Sequence, residues 1–567
     1  MKKKTKIMAV GVLFATVFTT LIFSCSNEGD KNMDQELTAL IAEIEGKIKP
    51  LSKESNIAYF NASISGNPDD YQKSENLQIE LNKIFSDTGY YSKLKKIKEA
   101  NTIKNDTLRR QLEVYYNAFI ENHADTEKLN AITKLATEVE KKYSNFRAEV
   151  KGKKLSDNDI EMILKTSSKT EEVKEAWLSH KKIGPVVAED VLKLVKMRNE
   201  LAKSLGFSNY HEMKLKLSEQ DPQEIEKLFD ELDNLTRDAF AKIKDEMDEF
   251  FMKKYNVKKE ELMPWHYQNR FFQEAPAIFP VDLDTYYKDK DIITITQKYY
   301  EGIGAPIDEI IKNSDLLEKP GKNQHAYCID IDQEGDVRVL CNVKSNERWM
   351  NTMLHEYGHA IYDKYMPASL PYALRNPAHT FTTEAIAMFF GRLGKNPYWM
   401  KEMAGISDDD VSKLAEIGQK TLKLEQLTFS RWVQVMYRFE KSMYTNPDQD
   451  LNKLWWDLVE KYQMLKRPAD RNEPDWASKI HIASFPCYYH NYLMGELLAS
   501  QFYFQIAEKI LKSSDVNKLS YTSNKEIGKY FIDKVFAPGS LFQWNTMIEK
   551  ATGEKLTAKY YAKQFVD

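Results

Sequence analysis

Residues 221–255 read DPQEIEKLFDELDNLTRDAFAKIKDEMDEFFMKKY, with an apolar residue at every third or fourth place throughout. That period belongs to an amphipathic helix, and it continues for over thirty residues without interruption. Asp221-Pro222 supplies the start, with Glu224 in the first turn. The same spacing runs through MDQELTALIAEIEGKIKPL near residue 33 and EEVKEAWLSHKKIG near residue 171. The interleaved Lys and Glu read as solvated helix faces. Only 21 Gly and 18 Pro occur in 567 residues, which suits long helices with compact connections. Strand signals are confined to residues 325–342, and there is no internal repeat or Gly/Ser-rich linker. The expected fold is all-α with a token sheet. Length alone argues for two or three domains, but the unbroken helical pattern predicts one large body over 36–567.

The first 24 residues stand apart. Lys2, Lys3, Lys4 and Lys6 precede an uncharged apolar run over 7–23, and Cys25 follows Ser24. This reads as a bacterial lipoprotein signal over 1–24, with Cys25 lipidated and residues 25–35 a polar tether. An ordinary secretory signal or an uncleaved anchor are the alternatives. The lipidated reading places the chain in the bacterial cell envelope, outside the cytoplasm, touching the membrane only through Cys25. Loss of four lysines and no acids takes the formal charge from −4 to −8. No stretch is basic enough for nucleic acid, and nothing later in the chain is apolar enough to span a bilayer. Cys328 and Cys341 flank IDIDQEGDVRVL, which reads as a β-hairpin about Glu334-Gly335. A two-residue turn there sets the two cysteines opposite each other, as a disulfide or as two buried thiols.

His355-Glu356-x-x-His359 lies in NERWMNTMLHEYGHAIYDKY. The two imidazoles leave one helix face a turn apart, a geometry that grips one zinc ion, with Glu356 as general base for the metal's water. A pair of core histidines beside a surface carboxylate is the plain alternative. A catalytic site needs a third protein ligand, and Glu384 lies 25 residues after His359 in HTFTTEAIAMFFGRL. Thr382 or Thr383 is the expected cap of that helix. Two antiparallel helices would return Glu384 to the metal.

HEYGHAIY…LPYALRNPAHTFTTEA resembles the angiotensin-converting-enzyme-like peptidyl dipeptidases, which carry HEMGH, an L-R and a Glu ligand at nearly this distance. QHAYCIDI resembles their CHASAWDF strand, LWWDLVEKYQ their WWxLRxKYQ helix, and KIHIASFPCYYHNYL their KFHIPSSVPYIRYF. These blocks keep the family's order from about 265 to 495. The C-terminal YYHNYLMGE also resembles the YYxYLWSE of the related thimet-type oligopeptidases. The resemblance implies a two-lobed helical peptidase with a deep central cleft, roofed by lid helices within 36–150, holding one zinc ion and acting as a monomer on short peptides. It implies zinc ligands at His355, His359 and Glu384, and Glu356 as base and proton shuttle. It further implies His481 and Tyr492 as donors to the oxyanion, although one extra residue separates them. His325 and Ala326 match the edge strand that pairs with substrate. Lys479, with Tyr489 and a glutamine, here Gln268, would receive the free C-terminal carboxylate.

Three positions depart from the family. Its arginine in WWxLRxKYQ is Val459 here, and the arginine before its catalytic tyrosine is Asn491. Both bind activating chloride in the animal enzymes, so no chloride requirement is expected. The aspartate four residues after the Glu ligand, which orients a zinc-bound imidazole, is Met388. The expected activity is release of dipeptides from a free C-terminus. The alternatives are a thimet-type oligoendopeptidase and a non-catalytic surface lipoprotein that binds without cutting.

Overall fold

The computed structural model describes residues 12–123, 125–279 and 281–566, with side chains from Met33 onward except that of Thr126. The signal reading and the lipidated Cys25 fall on residues and side chains outside these. The architecture is all-α, with two small two-stranded antiparallel sheets. Among the described residues no helix is long and apolar enough to cross a membrane.

The first helix, α1, runs over Val12–Ser65, so the stretch 25–35, expected as an irregular tether, is helical. Once the packed turns beyond Met33 nucleate a helix, each added residue brings one more backbone hydrogen bond, and polar residues suffice to extend it. Helices α2 (Pro68–Phe85), α3 (Thr88–Ala100) and α4 (Asp106–Asn122) close with α1 around an apolar core of their own, built on Leu37, Ile44, Leu94 and Phe119. The main core begins with Val139 on α5 (Thr126–Asn145) and takes in Ala148 and Val150. The separately packed layer therefore ends with α4. Arg110 ties it to the body through Glu219 and the Ser540 carbonyl.

β1 (Ala148–Val150) and β2 (Lys153–Leu155) form a hairpin outside the 325–342 region to which strands had been assigned. Lys151 and Gly152 at its tip adopt φ of 50° and 73°, the left-handed pair that a two-residue turn requires. The expected hairpin is present as β3 (Tyr327–Asp330) and β4 (Val337–Leu340), but in another register, with Cys328 opposite Val339. The Asp330 carboxylate accepts the amides of Asp332 and Gln333, and that of Asp332 accepts those of Glu334 and Asp336. These side-chain bonds open the turn into a wider loop. Cys341 lies two residues past the position opposite Cys328, and both cysteines are free thiols. The disulfide is thereby corrected. Helix α1 docks on this hairpin: Phe60 packs with Ile331 and Leu340, Asn56 donates to the Asp330 carbonyl at 3.0 Å, and Lys53 pairs with Asp332.

Three helices set the centre of the body. The HExxH helix (Glu347–Lys364) starts at Asn346, whose side chain accepts the Trp349 amide. The Glu384 helix (Thr380–Gly391) is capped by His379, which accepts the Phe381 amide at 3.1 Å. Thr382 instead completes the capping box by accepting the His379 amide, so neither Thr382 nor Thr383 is the cap. The tyrosine helix (His490–Lys509) crosses the Glu384 helix at Gly495. Contact between the first two is closest at Gly358, where an added Cβ would lie 2.9 Å from Ala387 Cα and 3.2 Å from Phe390. Neither neighbour is a flexible side-chain tip, so Gly358→Ala should force the helices apart. We expect it to destabilise the protein by about 1–3 kcal/mol in chemical unfolding. Gly46→Ala on the exposed face of α1, with nothing within 4 Å, should instead be neutral or stabilising by up to about 1 kcal/mol. Equal effects of the two would refute the packing constraint.

Candidate metal centre

His355 and His359 leave the HExxH helix on one face, ring centroids 4.9 Å apart and planes at 82°. The neighbouring helix brings Glu384 Oε2 to 3.7 Å from His355 Nε2 and 3.9 Å from His359 Nε2. The donor atoms of the three all lie within 4.8 Å of one another. Burial pushes the imidazoles down, to about 4 at His355 and about 3 at His359, which is helped by His355 itself. Burial, with Glu496 nearby, pushes Glu384 up to about 7. His355 keeps 30% of its side-chain surface open, yet protein surrounds the ring elsewhere, and that is enough to disfavour its charged form. Two neutral imidazoles and a carboxyl with no Lys or Arg partner among the described residues fit a zinc ion, which would restore the carboxylate's charge.

The missing aspartate at Met388 left open what holds the histidine rings. Met388 packs against Gly495, and Thr383 does the orienting: its hydroxyl lies 2.7 Å from His359 Nδ1. With Nδ1 engaged, Nε2 is left to face Glu384.

A cavity of about 580 Å3 opens over the three donors. Glu356 and Ala326 line it, as do Ser52 and Asn56 of α1, so the first helix roofs the site. Glu356 accepts the Cys328 amide from β3, and burial, reinforced by Glu384, raises it to about 8. Ala326 sits at the start of β3; His325 is exposed beside it, its amide bonded to Asn323.

His481, Tyr489 and Tyr492 form a ladder of rings, with centroids 5.2 Å apart from His481 to Tyr489 and 5.3 Å from Tyr489 to Tyr492. Tyr488 stacks edge-on to Tyr492 at 5.4 Å. The negative field of Glu384 reaches both Tyr488 and Tyr492, so the ladder ends at the metal donors. His481 Nδ1 is buried without a hydrogen-bond partner among the described residues, and burial lowers the ring to about 4.

Lys479 is 6% exposed, and its ammonium lies over the faces of Phe271, Tyr489 and Trp432 at 5.1, 5.4 and 5.5 Å. Burial, then Arg270, lowers it to about 7. The glutamine beside it is Gln273, whose Oε1 accepts from Lys479 at 2.5 Å. Gln268 is turned away and accepts the Ala277 amide at 3.0 Å. That assignment is corrected by five positions. Gln268 has φ of 60°, and the left-handed turn it makes reverses the chain before FFQ, which residue spacing gave no sign of. Thr383 and Tyr488 were likewise missed, although each adjoins a residue already singled out. Thr383→Val keeps the shape and removes the hydroxyl, and should weaken zinc affinity about 10-fold to 100-fold in competition with a chelator. Unchanged affinity would remove Thr383 from this role.

A family model described as angiotensin-converting enzyme matches residues 31–270 and 278–565. Angiotensin-converting enzyme of Rattus norvegicus is 23% identical over 426 residues, covering 70% of this chain and 32% of that protein. The angiotensin-converting enzyme-like protein Ace3 of Mus musculus is 21% identical over 503 residues, covering 82% and 67%. The chloroplastic and mitochondrial organellar oligopeptidase A of Arabidopsis thaliana is 22% identical over 248 residues, covering 34% and 31%. The chain spans about a third of the length of the rat and mouse angiotensin-converting enzymes it matches.

Proposed function

This chain belongs to the angiotensin-converting-enzyme peptidase family, and from that premise and the geometry above we propose that it is a zinc metallopeptidase releasing dipeptides from the free C-terminus of short peptides. The observation that carries the finer part is Lys479. It is a buried ammonium with no ion-pair partner among the described residues, held by Gln273 and ringed by aromatic faces. An unpaired buried charge is costly, and a substrate carboxylate is the partner that would relieve it.

His355, His359 and Glu384 hold the metal in this reading. When bound, zinc supplies Lewis-acid polarisation of a carbonyl and makes water acidic near neutral pH. Glu356 takes the proton from the attacking water at its carboxylate oxygen and delivers it to the leaving amine. Burial beside Glu384 favours the protonated state that the second step needs. His481 and Tyr492 direct N–H and O–H donors at the oxygen that gains negative charge, a preference for the transition state over the ground state. The segment His325-Ala326, leading into β3, aligns the peptide backbone by strand addition. The roof formed by α1 restricts access to short, extended chains.

An internally cutting oligopeptidase is the second reading, favoured by the similarity to the Arabidopsis protein. One peptide offered with a free and with an amidated C-terminus separates them. Stepwise loss of two residues from the free form alone is expected. Lys479→Ala should lower kcat/KM on the free acid by about 30-fold or more while leaving the amide's slow rate unchanged. Equal internal cleavage of both forms would favour the oligopeptidase.

Two buried positions support the reading that activity is independent of chloride. Asn491 accepts from Gln220 at 2.7 Å, and Gln220 lies 2.8 Å from His490, which burial holds neutral. Beside Val459 the cations are Lys181, which faces the Asp475 carboxylate, and Arg270, which pairs with Asp157 and Glu161. Halide titration at constant ionic strength should change dipeptide release by no more than about twofold. Several-fold activation would overturn this.

A further inference from the structure

The cavity over the metal donors is also lined by Asp330, Asp332 and Asp363. Asp363 stands one turn beyond His359 on the same face of the HExxH helix. Its carboxylate meets the Cys328 thiol, 3.9 Å away, and Asp330 accepts two backbone amides. Lys53 is committed to Asp332. Arg375, the cation on this wall, donates to the carbonyls of Ala368, Leu370 and Gln333 and to Glu334. Among the described residues neither Asp330 nor Asp363 has a Lys or Arg within ion-pair reach.

Buried acids elsewhere are mostly paired, although Glu440, which accepts the Cys487 amide, also has no Lys or Arg within ion-pair reach among the described residues. Asp233 is paired with Arg431, Asp248 with Lys244 and Asp475 with Arg471. Desolvation makes an unpaired buried carboxylate expensive, so compensation is the rule. Burial raises Asp330 to about 6, and burial with the Asp330 carboxylate nearby raises Asp363 well above the usual carboxylate range. Asp330 and Asp363 differ from Glu440 in lining a cavity that admits a group from outside. That group is not a second metal ion: His355, His359 and Glu384 form the one cluster of close donor atoms among the described residues.

Direction follows from what the cavity excludes. Lys479, His481, Tyr489 and Tyr492 are absent from its lining, so it is a space distinct from the carboxylate anchor that shares the metal donors as its border. With the substrate's C-terminus at Lys479, this space receives residues on the amino-terminal side of the scissile bond. We propose that Asp363 and Asp330 select peptides carrying a lysine or arginine side chain on that side. The proposal rests on the peptidase reading and adds a substrate class to it.

The test uses hexapeptides identical except for Lys, norleucine or Glu at each of the two positions before the scissile bond. kcat/KM should fall in the order Lys, norleucine, Glu at one of those positions, with about tenfold or more between Lys and Glu. Asp363→Asn and Asp330→Asn should each shrink that ratio, and Asp363→Glu should keep it. Calorimetry on metal-loaded Glu356→Gln should show tighter binding of the Lys peptide, a readout that needs no turnover. Equal rates for the three peptides, or a ratio unchanged in both asparagine variants, overturns the proposal. Tighter Lys binding without release of dipeptides keeps the charge selection and removes the peptidyl-dipeptidase reading. Dipeptide release indifferent to Lys does the reverse.

Discussion

The close approach of two helices at Gly358 and Ala387 is the constraint on which the rest depends. Side chains from separate helices can share one small ion only if their backbones come near enough. A 2.9 Å clearance for a hypothetical Cβ means that the approach is already at its limit. Gly495 repeats the device on the other flank, where Met388 Sδ and Glu384 Cβ would lie 3.2 and 3.4 Å from an added Cβ. Three helices are thus stacked on two glycines. That stack fixes Glu384 between the imidazoles on one side and the tyrosine ladder on the other. Close-packed interiors transmit such constraints because no slack remains to absorb them.

Around this stack the protein arranges charge by compensation and exception. Most buried ions are paired within the fold, as in Arg471 with Asp475 and Arg431 with Asp233. Among the groups left unpaired are the three metal donors, Lys479 beyond the ring ladder, and the acids over the cavity. Each unmet charge points to the kind of partner that would satisfy it, a dication, a carboxylate and an ammonium or guanidinium respectively. In the proposed reading a peptide lying across the site would meet the last two with its terminus and a side chain, which would set the scissile bond among Glu356, His481 and Tyr492.

Much of this was legible in the residues. Helical periodicity named the fold class, and HExxH with a downstream Glu named the donor set, because those patterns are local or nearly so. The hairpin was located, but its register was missed. Register depended on Asp330 and Asp332 capturing backbone amides, which widened the loop and moved Cys341 two places from Cys328. The cap of the Glu384 helix fell to His379 because its ring nitrogen reached the Phe381 amide before either threonine could serve. Gln268 was chosen over Gln273 on motif position alone, and a left-handed turn at Gln268 reversed their roles.

By itself the sequence named His355, His359 and Glu384 as candidate metal donors and set the two histidines on one helix face, since the period of the α-helix follows from local backbone geometry and needs no partner. Tertiary structure alone decided what stands behind them. Thr383 replaces the absent aspartate at His359, Gln273 serves Lys479, and Asp363 joins Asp330 over the same cavity. These are meetings between side chains far apart along the chain or on separate helices. Their distances are set by how closely the helices pack, and no spacing within a single element encodes that.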